Sequence, residues 1–180
     1  DTASQLVCEA LAPRPGELVI DLCAGAGGKT LALAAAMDNR GTILACERIR
    51  ADKDVATMLG VRTGAAIWRL ERVRFTERRP VALQTSFIPV ELATGLADHD
   101  LTTRHLVDVL RDEFGIHLVR AVEYIDPTVA DGYAAKALGV RLRTPLFQIE
   151  RSTYAMDDRV VEYRRALLRG DAYRYRLDLR

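Results

Sequence analysis

Cysteine is scarce and poorly placed for metal binding. Cys8, Cys23 and Cys46 are the only three, an odd number without the paired spacing of a metal site. A disulfide-stapled secreted scaffold is therefore not indicated, and a reduced, cytoplasmic setting is expected, with no metal ligands. A surplus of one charge is missing too. With 26 basic and 25 acidic residues the net charge is +1 and the pI about 7.9, which argues against nucleic acid or an anionic membrane as a main partner. No apolar run is long enough to span a bilayer and no signal peptide is present, so no membrane association is expected. Lysine is nearly absent, with Lys29, Lys53 and Lys136 its only members, while arginine is plentiful. That bias fits either a high-GC genome or anion recognition through the guanidinium fork. The chain opens at Asp1 rather than Met, as a fragment of a longer protein would.

What the sequence does have is an internal repeat. Ala51 to Arg74 (ADKDVATMLGVRTGAAIWRLERVR) returns at Ala130 to Thr153 (ADGYAAKALGVRLRTPLFQIERST) after a shift of 79 residues without a gap. The shift superposes Asp52 on Asp131, Leu59-Gly60-Val61-Arg62 on Leu138-Gly139-Val140-Arg141, and Glu71-Arg72 on Glu150-Arg151. Each copy predicts a short helix opened by an Asp cap and closed by Gly, then a turn and a strand. The period is too long and the copies too few for a solenoid, so one domain with internal twofold symmetry is expected. The 49% hydrophobic content suffices for one sizeable core.

Before the repeat, Leu6, Ala10 and Leu11 predict a helix that Pro13 to Gly16 ends. Leu18 to Leu22 then reads as a strand, Cys23 to Thr30 as a Gly-rich turn, Leu31 to Met37 as a helix, and Thr42 to Cys46 as a second strand ending in Glu47. A turn of this kind brings backbone N–H groups close to a ligand. Two phosphate-binding patterns fail here: the P-loop would need Gly in place of Cys23, and the dinucleotide pattern would need Gly in place of Thr30. VIDLCAGAGGKT instead resembles the first motif of the RNA (cytosine-5) methyltransferases, with the likeness running from about residue 1 to Glu47. It implies S-adenosylmethionine as a cofactor, with Gly25, Gly27 and Gly28 beside its methionine part and Glu47 on its ribose. The cysteines of that family's Thr-Cys and Pro-Cys motifs have no counterpart, since no cysteine follows Cys46. Without a thiolate to attack the base, this stretch cannot catalyse that methyl transfer. It is read as a catalytically incomplete fragment, and no enzyme is expected.

From Thr42 onward, TILACERIRADKDVATMLGVRTGAAIWRLERVRF, RPVALQTSFIP, LVDVLRDEFGIHL and LGVRLRTPLFQIERSTYAMDDRVVEYRRALLRGDAYRYRLDL resemble the UTRA domain of GntR/HutC-type bacterial transcription regulators. The resemblance implies an α+β, chorismate lyase-like fold, an antiparallel sheet with helices, to which residues 1–41 add a strand, turn and helix. It implies a homodimeric module over residues 42–180 that binds a small, often anionic metabolite and requires no cofactor. It also implies DNA as a partner only through a separate winged-helix domain, whose place before the sensor is held here by the methyltransferase-like stretch. Two such resemblances in one chain suggest a fusion or chimera. Thr42 to Glu47 is claimed by both, but its repeat counterpart Ala121 to Asp126 assigns it to the duplicated sheet.

Along the strand Ala66 to Phe75, alternation puts Trp68, Leu70, Arg72 and Arg74 on one side, and the copy puts Phe147 and Ile149 with Arg151. Arginines that continue an apolar row are costly to bury alone. They form either an anion clamp or a structural ion pair, for instance with Glu162, or they emerge where the strand leaves the core. The UTRA resemblance makes Glu162, in Val160-Val-Glu-Tyr163, a candidate for a hydroxyl or amine of the effector. It also draws attention to Gln84, at an often acidic position, to Leu168, where an aromatic is common, and to His105, where a small hydroxyl residue is frequent. His105 opens an amphipathic helix, Arg104 to Phe114, stopped by Gly115. Tyr173 and Tyr175, alternating with Arg174 and Arg176, predict a last strand with one aromatic face.

Overall fold

The two Asp-capped helices of the repeat, and the strands that flank them, recur in space as they do in sequence. The computed structural model describes residues 40–76 and 79–173. Its elements run β1 (Arg40–Arg50), α1 (Lys53–Leu59), β2 (Ala66–Thr76), β3 (Arg79–Pro89), a 3-10 turn (Leu96–Asp98), α2 (Leu106–Phe114), β4 (Leu118–Val129), α3 (Gly132–Leu138), β5 (Pro145–Ala155) and β6 (Val160–Arg169). The strands form one antiparallel sheet in the order β1-β2-β3-β6-β5-β4. Each half is a strand, helix and hairpin, and the halves meet where β3 pairs with β6. This is the α+β antiparallel sheet with helices that the sequence resemblance implied.

The helix ends show why the repeat folds locally. Asp52 accepts a hydrogen bond from the Val55 amide at 2.8 Å, and Asp131 accepts one from the Ala134 amide at 2.7 Å. Each satisfies one of the amides that a helix start leaves without a partner. Gly60 and Gly139 end the helices at φ 68° and 61°, a left-handed backbone that a side chain would strain. The 79-residue shift also carries a break in pairing register between Arg74 and Phe75 onto one between Thr153 and Tyr154. The symmetry therefore extends to the bulges that bend the hairpins.

The two faces of the sheet are covered differently. On one face, α1 packs with Ile67, Phe87 and Tyr163, and α3 with Val73, Leu83 and Leu146. On the other, α2 lays Leu106, Val109 and Leu110 over Trp68, Leu70, Ile88 and Val90. The Trp68 indole N–H donates to the Ala93 carbonyl at 2.8 Å and so fixes the loop that leads to α2. This second face carries the polar cluster described below.

Two expectations change. The helix foreseen from Arg104 starts at Leu106, because Arg104 turns back to bind Asp112 at 3.0 Å and Glu113 at 2.6 Å. Of the last strand foreseen over Tyr173 to Arg176, the described residue Tyr173 lies in no strand, beyond the end of β6 at Arg169. Buried Arg169 causes the stop. It holds Asp171 at 2.8 Å, donates to the carbonyls of Pro80 and Leu138, each at 3.3 Å, and so turns the chain at Gly170. Tyr173 then packs beside Ala82, Ile149, Ala166 and Leu168. Tyr175, Arg174 and Arg176 lie outside the described residues, as do the elements foreseen before Arg40.

Candidate functional site

Alternation along β2 carries Trp68, Leu70, Arg72 and Arg74 onto the α2 face, and the pairing registers extend that face across the sheet. Arg72 stands opposite Gln84, which stands opposite Ala166, while Ser86 stands opposite Arg164, and Arg164 opposite Arg151. Thr153 stands opposite Glu162, and Arg151 opposite Glu123. A polar patch thus straddles the twofold axis in the middle of an otherwise apolar face.

Arg72 is the most enclosed of its cations, with 4% of its surface exposed. Its guanidinium donates to the Leu101 carbonyl at 3.3 Å, and its Nε has no hydrogen-bond partner among the described residues. No carboxylate among those residues lies within ion-pair distance of it. Burial lowers its pKa, and the charge of Glu162 opposes that shift. Burial and then repulsion by Arg72 bring Arg74 down to about 10, so Arg74 remains cationic at neutral pH. An enclosed guanidinium facing a neutral carbonyl retains most of its demand for a counter-charge.

Glu162 is equally buried and is held from two sides. Ser86 donates to Oε1 at 2.6 Å and Thr153 to Oε2 at 3.4 Å. The hydroxyls orient the carboxylate without neutralising it. Arg151 lies 3.5 Å and Arg164 3.6 Å from the same Glu123 oxygen. Comparing the halves is instructive. In the first copy the residue across from Arg72 on β1 is Ile43, whereas in the second the residue across from Arg151 on β4 is Glu123. The duplicated arginine has received a carboxylate in one half only.

His105 sits at the start of α2 without a side-chain capping bond. Its pKa is lowered first by burial and then by Arg74, with Arg72 adding to the effect and Asp108 opposing it. At neutral pH it presents an uncharged imidazole to the cluster. The phenol of Tyr173 closes another side. Burial raises it to about 12 against the influence of Arg74 and Arg164.

The structure therefore brings together Arg72, Arg74, Arg151, Glu162, His105 and Gln84, all singled out from the sequence. Glu47 is apart from them. It is exposed on the opposite face, where it pairs with Arg69 at 2.8 Å, and Arg69 also binds Glu71 at 2.7 Å. Gly25, Gly27 and Gly28 lie outside the described residues. Sequence reasoning missed Ser86, Glu123, Arg164 and Tyr173. Strand alternation from Gln84 and Glu162 would have found Ser86 and Arg164, but nothing local marks the Leu101 carbonyl. Among the described residues no cluster of His, Cys, Asp or Glu suits a metal ion, and no helix is long and apolar enough to cross a membrane.

Comparison with known proteins places this geometry. The UTRA domain model matches residues 36–174, beginning six residues before the sensor boundary read from the sequence. The HTH-type transcriptional repressor PhnF of Mycolicibacterium smegmatis is 38% identical over 151 residues, which are 82% of this chain and 60% of PhnF. The chain thus spans less than two thirds of that relative's length. The crystal structure of the effector domain of PhnF from Mycobacterium smegmatis superposes with a TM-score of 0.79 at 32% identity, covering 91% of this chain and 99% of that one. A partial match links 47% of the chain to 20% of human NSUN6, a tRNA (cytosine(72)-C(5))-methyltransferase, at 37% identity. With the family model spanning most of the sequence and the fold superposing on that effector domain, the chain belongs to the UTRA domain family.

Proposed function

We propose that the chain is the effector-binding module of a bacterial transcription regulator and that its effector is a small anionic metabolite held by Arg72 and Arg74. The observation that carries this reading is Arg72, buried with a carbonyl at 3.3 Å and no carboxylate at ion-pair distance among the described residues. A ligand oxyanion would supply the missing counter-charge through short, paired hydrogen bonds. Glu162, oriented by Ser86 and Thr153, would accept from a hydroxyl or amine of the same ligand, and Gln84 would supply a neutral amide beside Arg72. Arg151, answered by Glu123, would frame the site from the second half. His105 would donate from the α2 start. The module would act as a homodimer and reach DNA through a separate domain. That assignment rests on the family and on the identity to PhnF, an HTH-type transcriptional repressor.

The test is calorimetric titration of the chain with inorganic phosphate. Arg72→Gln is expected to weaken binding at least tenfold, about 1.4 kcal/mol. Unchanged affinity in a folded Arg72→Gln variant would remove the reading.

A second reading is favoured by the partial match to NSUN6. In it, residues 1–41 are a methyltransferase-derived unit in which Gly25, Gly27 and Gly28 bind S-adenosylmethionine, fused to the sensor. Glu47 serves that reading poorly, because Arg69 engages it on the far face of the sheet from Arg72.

A further inference from the structure

The sheet ends at β1 on one side and β4 on the other, and the repeat makes each strand the image of the other. The two edges are finished differently. β1 breaks register between Ile43 and Ala45, near its middle, and exposes Glu47, Arg48 and Arg50. A central bulge and charged side chains are devices that keep an edge from pairing with another chain. The apolar residues of β1 are also covered, Ile43 and Cys46 beside α2 and Ile49 beside α1. β4 has its break at the start, between Leu118 and Arg120, and pairs regularly with β5 from there to Val129. Where β1 has Ala45 and Cys46, β4 has Tyr124 and Ile125, which are 63% and 40% exposed. Val119 and Val129 are exposed on the same strand. The apolar cluster under α2 takes in β1, β2 and β3 but no residue of β4.

A regular, exposed and partly apolar edge accepts a further strand, and the order of residues along β4 says which. Antiparallel pairing of β4 with β4 of a second copy, centred on Glu123, sets Arg120 opposite Asp126 and Val122 opposite Tyr124 on one face, and Ala121 opposite Ile125 on the other. Centring on Val122 sets Asp126 against Leu118, and centring on Tyr124 sets it against Val122; neither brings unlike charges together. The Glu123 register also stops where the strand becomes irregular. It places Val119, at the bulge, opposite Pro127, which has no N–H to give to a ladder. On the axis Glu123 meets its own image, and Arg151 at 3.5 Å and Arg164 at 3.6 Å draw each carboxylate toward its own copy.

We infer that two copies of the chain pair through β4 about a twofold axis at Glu123, joining their sheets into one. This rests on the homodimer reading above and names its surface. Such a contact is isologous and closes on itself. It leaves the bulged, charged β1 at both outer ends, where no third copy is invited.

The test is the molar mass of the whole chain in solution, by light scattering after gel filtration. The wild type is expected as a dimer. Arg120→Asp and Asp126→Arg each set like charges opposite one another and should each weaken the dimer roughly tenfold or more, with circular dichroism unchanged. An equimolar mixture of the two variants sets every Asp opposite an Arg again and should dimerise as the wild type does. Dimers that persist in both variants, with no gain on mixing, would overturn the β4 interface and keep the homodimer reading. A monomeric wild type would overturn both. Arg120 also holds Asp158 at 2.6 Å and stacks on Tyr154. Should Arg120→Asp therefore fail to fold, Glu123→Cys decides. Strands paired at the axis bring the two α-carbons to roughly 4.5–5.5 Å, within reach of a disulfide. Mild oxidation should then yield far more covalent dimer on a non-reducing gel than the wild type gives, and a yield no higher than the wild type's refutes the pairing.

Discussion

A buried guanidinium is stable only if something answers its charge, and in this sheet the answers are unevenly distributed. Arg169 has Asp171 and two carbonyls, Arg69 has Glu71 and Glu47, and Arg151 has Glu123. Arg72 has the carbonyl of Leu101 and, further off, the field of Glu162. Glu162→Gln should therefore act in two directions. Loss of the carboxylate that, among the described residues, offsets Arg72, and a weaker acceptor for Ser86 and Thr153, should cost about 1–3 kcal/mol. Urea denaturation would read this as a lower midpoint with an unchanged slope. Sulfate, which offers neither hydroxyl nor amine to Glu162, should bind the variant at least as tightly as the wild type. A fall in sulfate affinity would mean that Glu162 orders the arginines rather than balancing them.

At the scale of elements, α1 and α3 were legible because their information is local. An Asp whose side chain reaches the amide three residues on and a Gly that accepts a left-handed backbone mark a helix without reference to the rest of the chain. Their sequence bounds, and the strands β2 and β5 that follow, agree closely with the structure. Asp52→Ala and Asp131→Ala should each remove about 1 kcal/mol, a fall of roughly 2–4 °C in Tm for a chain of this size. Because the caps are images, the two losses should match, and thermal melts of the single variants would show whether they do. Where the outcome depends on remote partners, the sequence was a poorer guide. Arg104 reads as helical by pattern, yet its guanidinium is drawn to Asp112 and Glu113. Tyr173 reads as a strand residue by alternation, yet the lock of Arg169 on Asp171 and on two distant carbonyls turns the chain first. The carbonyls of Pro80 and Leu138 lie 89 and 31 residues from Arg169, and the partners of Arg104 lie eight and nine residues on, beyond the capping and alternation patterns that a local reading uses.

For the whole molecule, duplication explains both the fold and the place of the site. Two strand, helix and hairpin units meet along β3 and β6, and the polar cluster sits on their axis, where residues of both copies can reach one ligand. The shift of 79 residues made the architecture readable. Alternation placed Arg72, Arg74 and Arg151 on a common face, and the family resemblance added Glu162, Gln84 and His105. Divergence between the copies was not readable in that way. That Ile43 faces Arg72 where Glu123 faces Arg151, and that Gln84 occupies the place of Arg164, follows from registers between strands distant in the chain. These differences make a nearly symmetric scaffold electrostatically one-sided.

On the proposed reading, the axis of the sheet, and not the Gly-rich stretch, holds the chain's small-molecule site. The most direct measurement is a thermal-shift comparison of the wild-type chain and Arg72→Gln against sugar phosphates, phosphonates, small carboxylates, S-adenosylmethionine and S-adenosylhomocysteine. A ligand at a hundred times its dissociation constant adds about 2.7 kcal/mol, a shift of several degrees at this size. Such a shift is expected with a phosphorylated or phosphonate compound in the wild type, and its loss in Arg72→Gln. A shift with the adenosyl compounds alone, equal in both proteins, would contradict it.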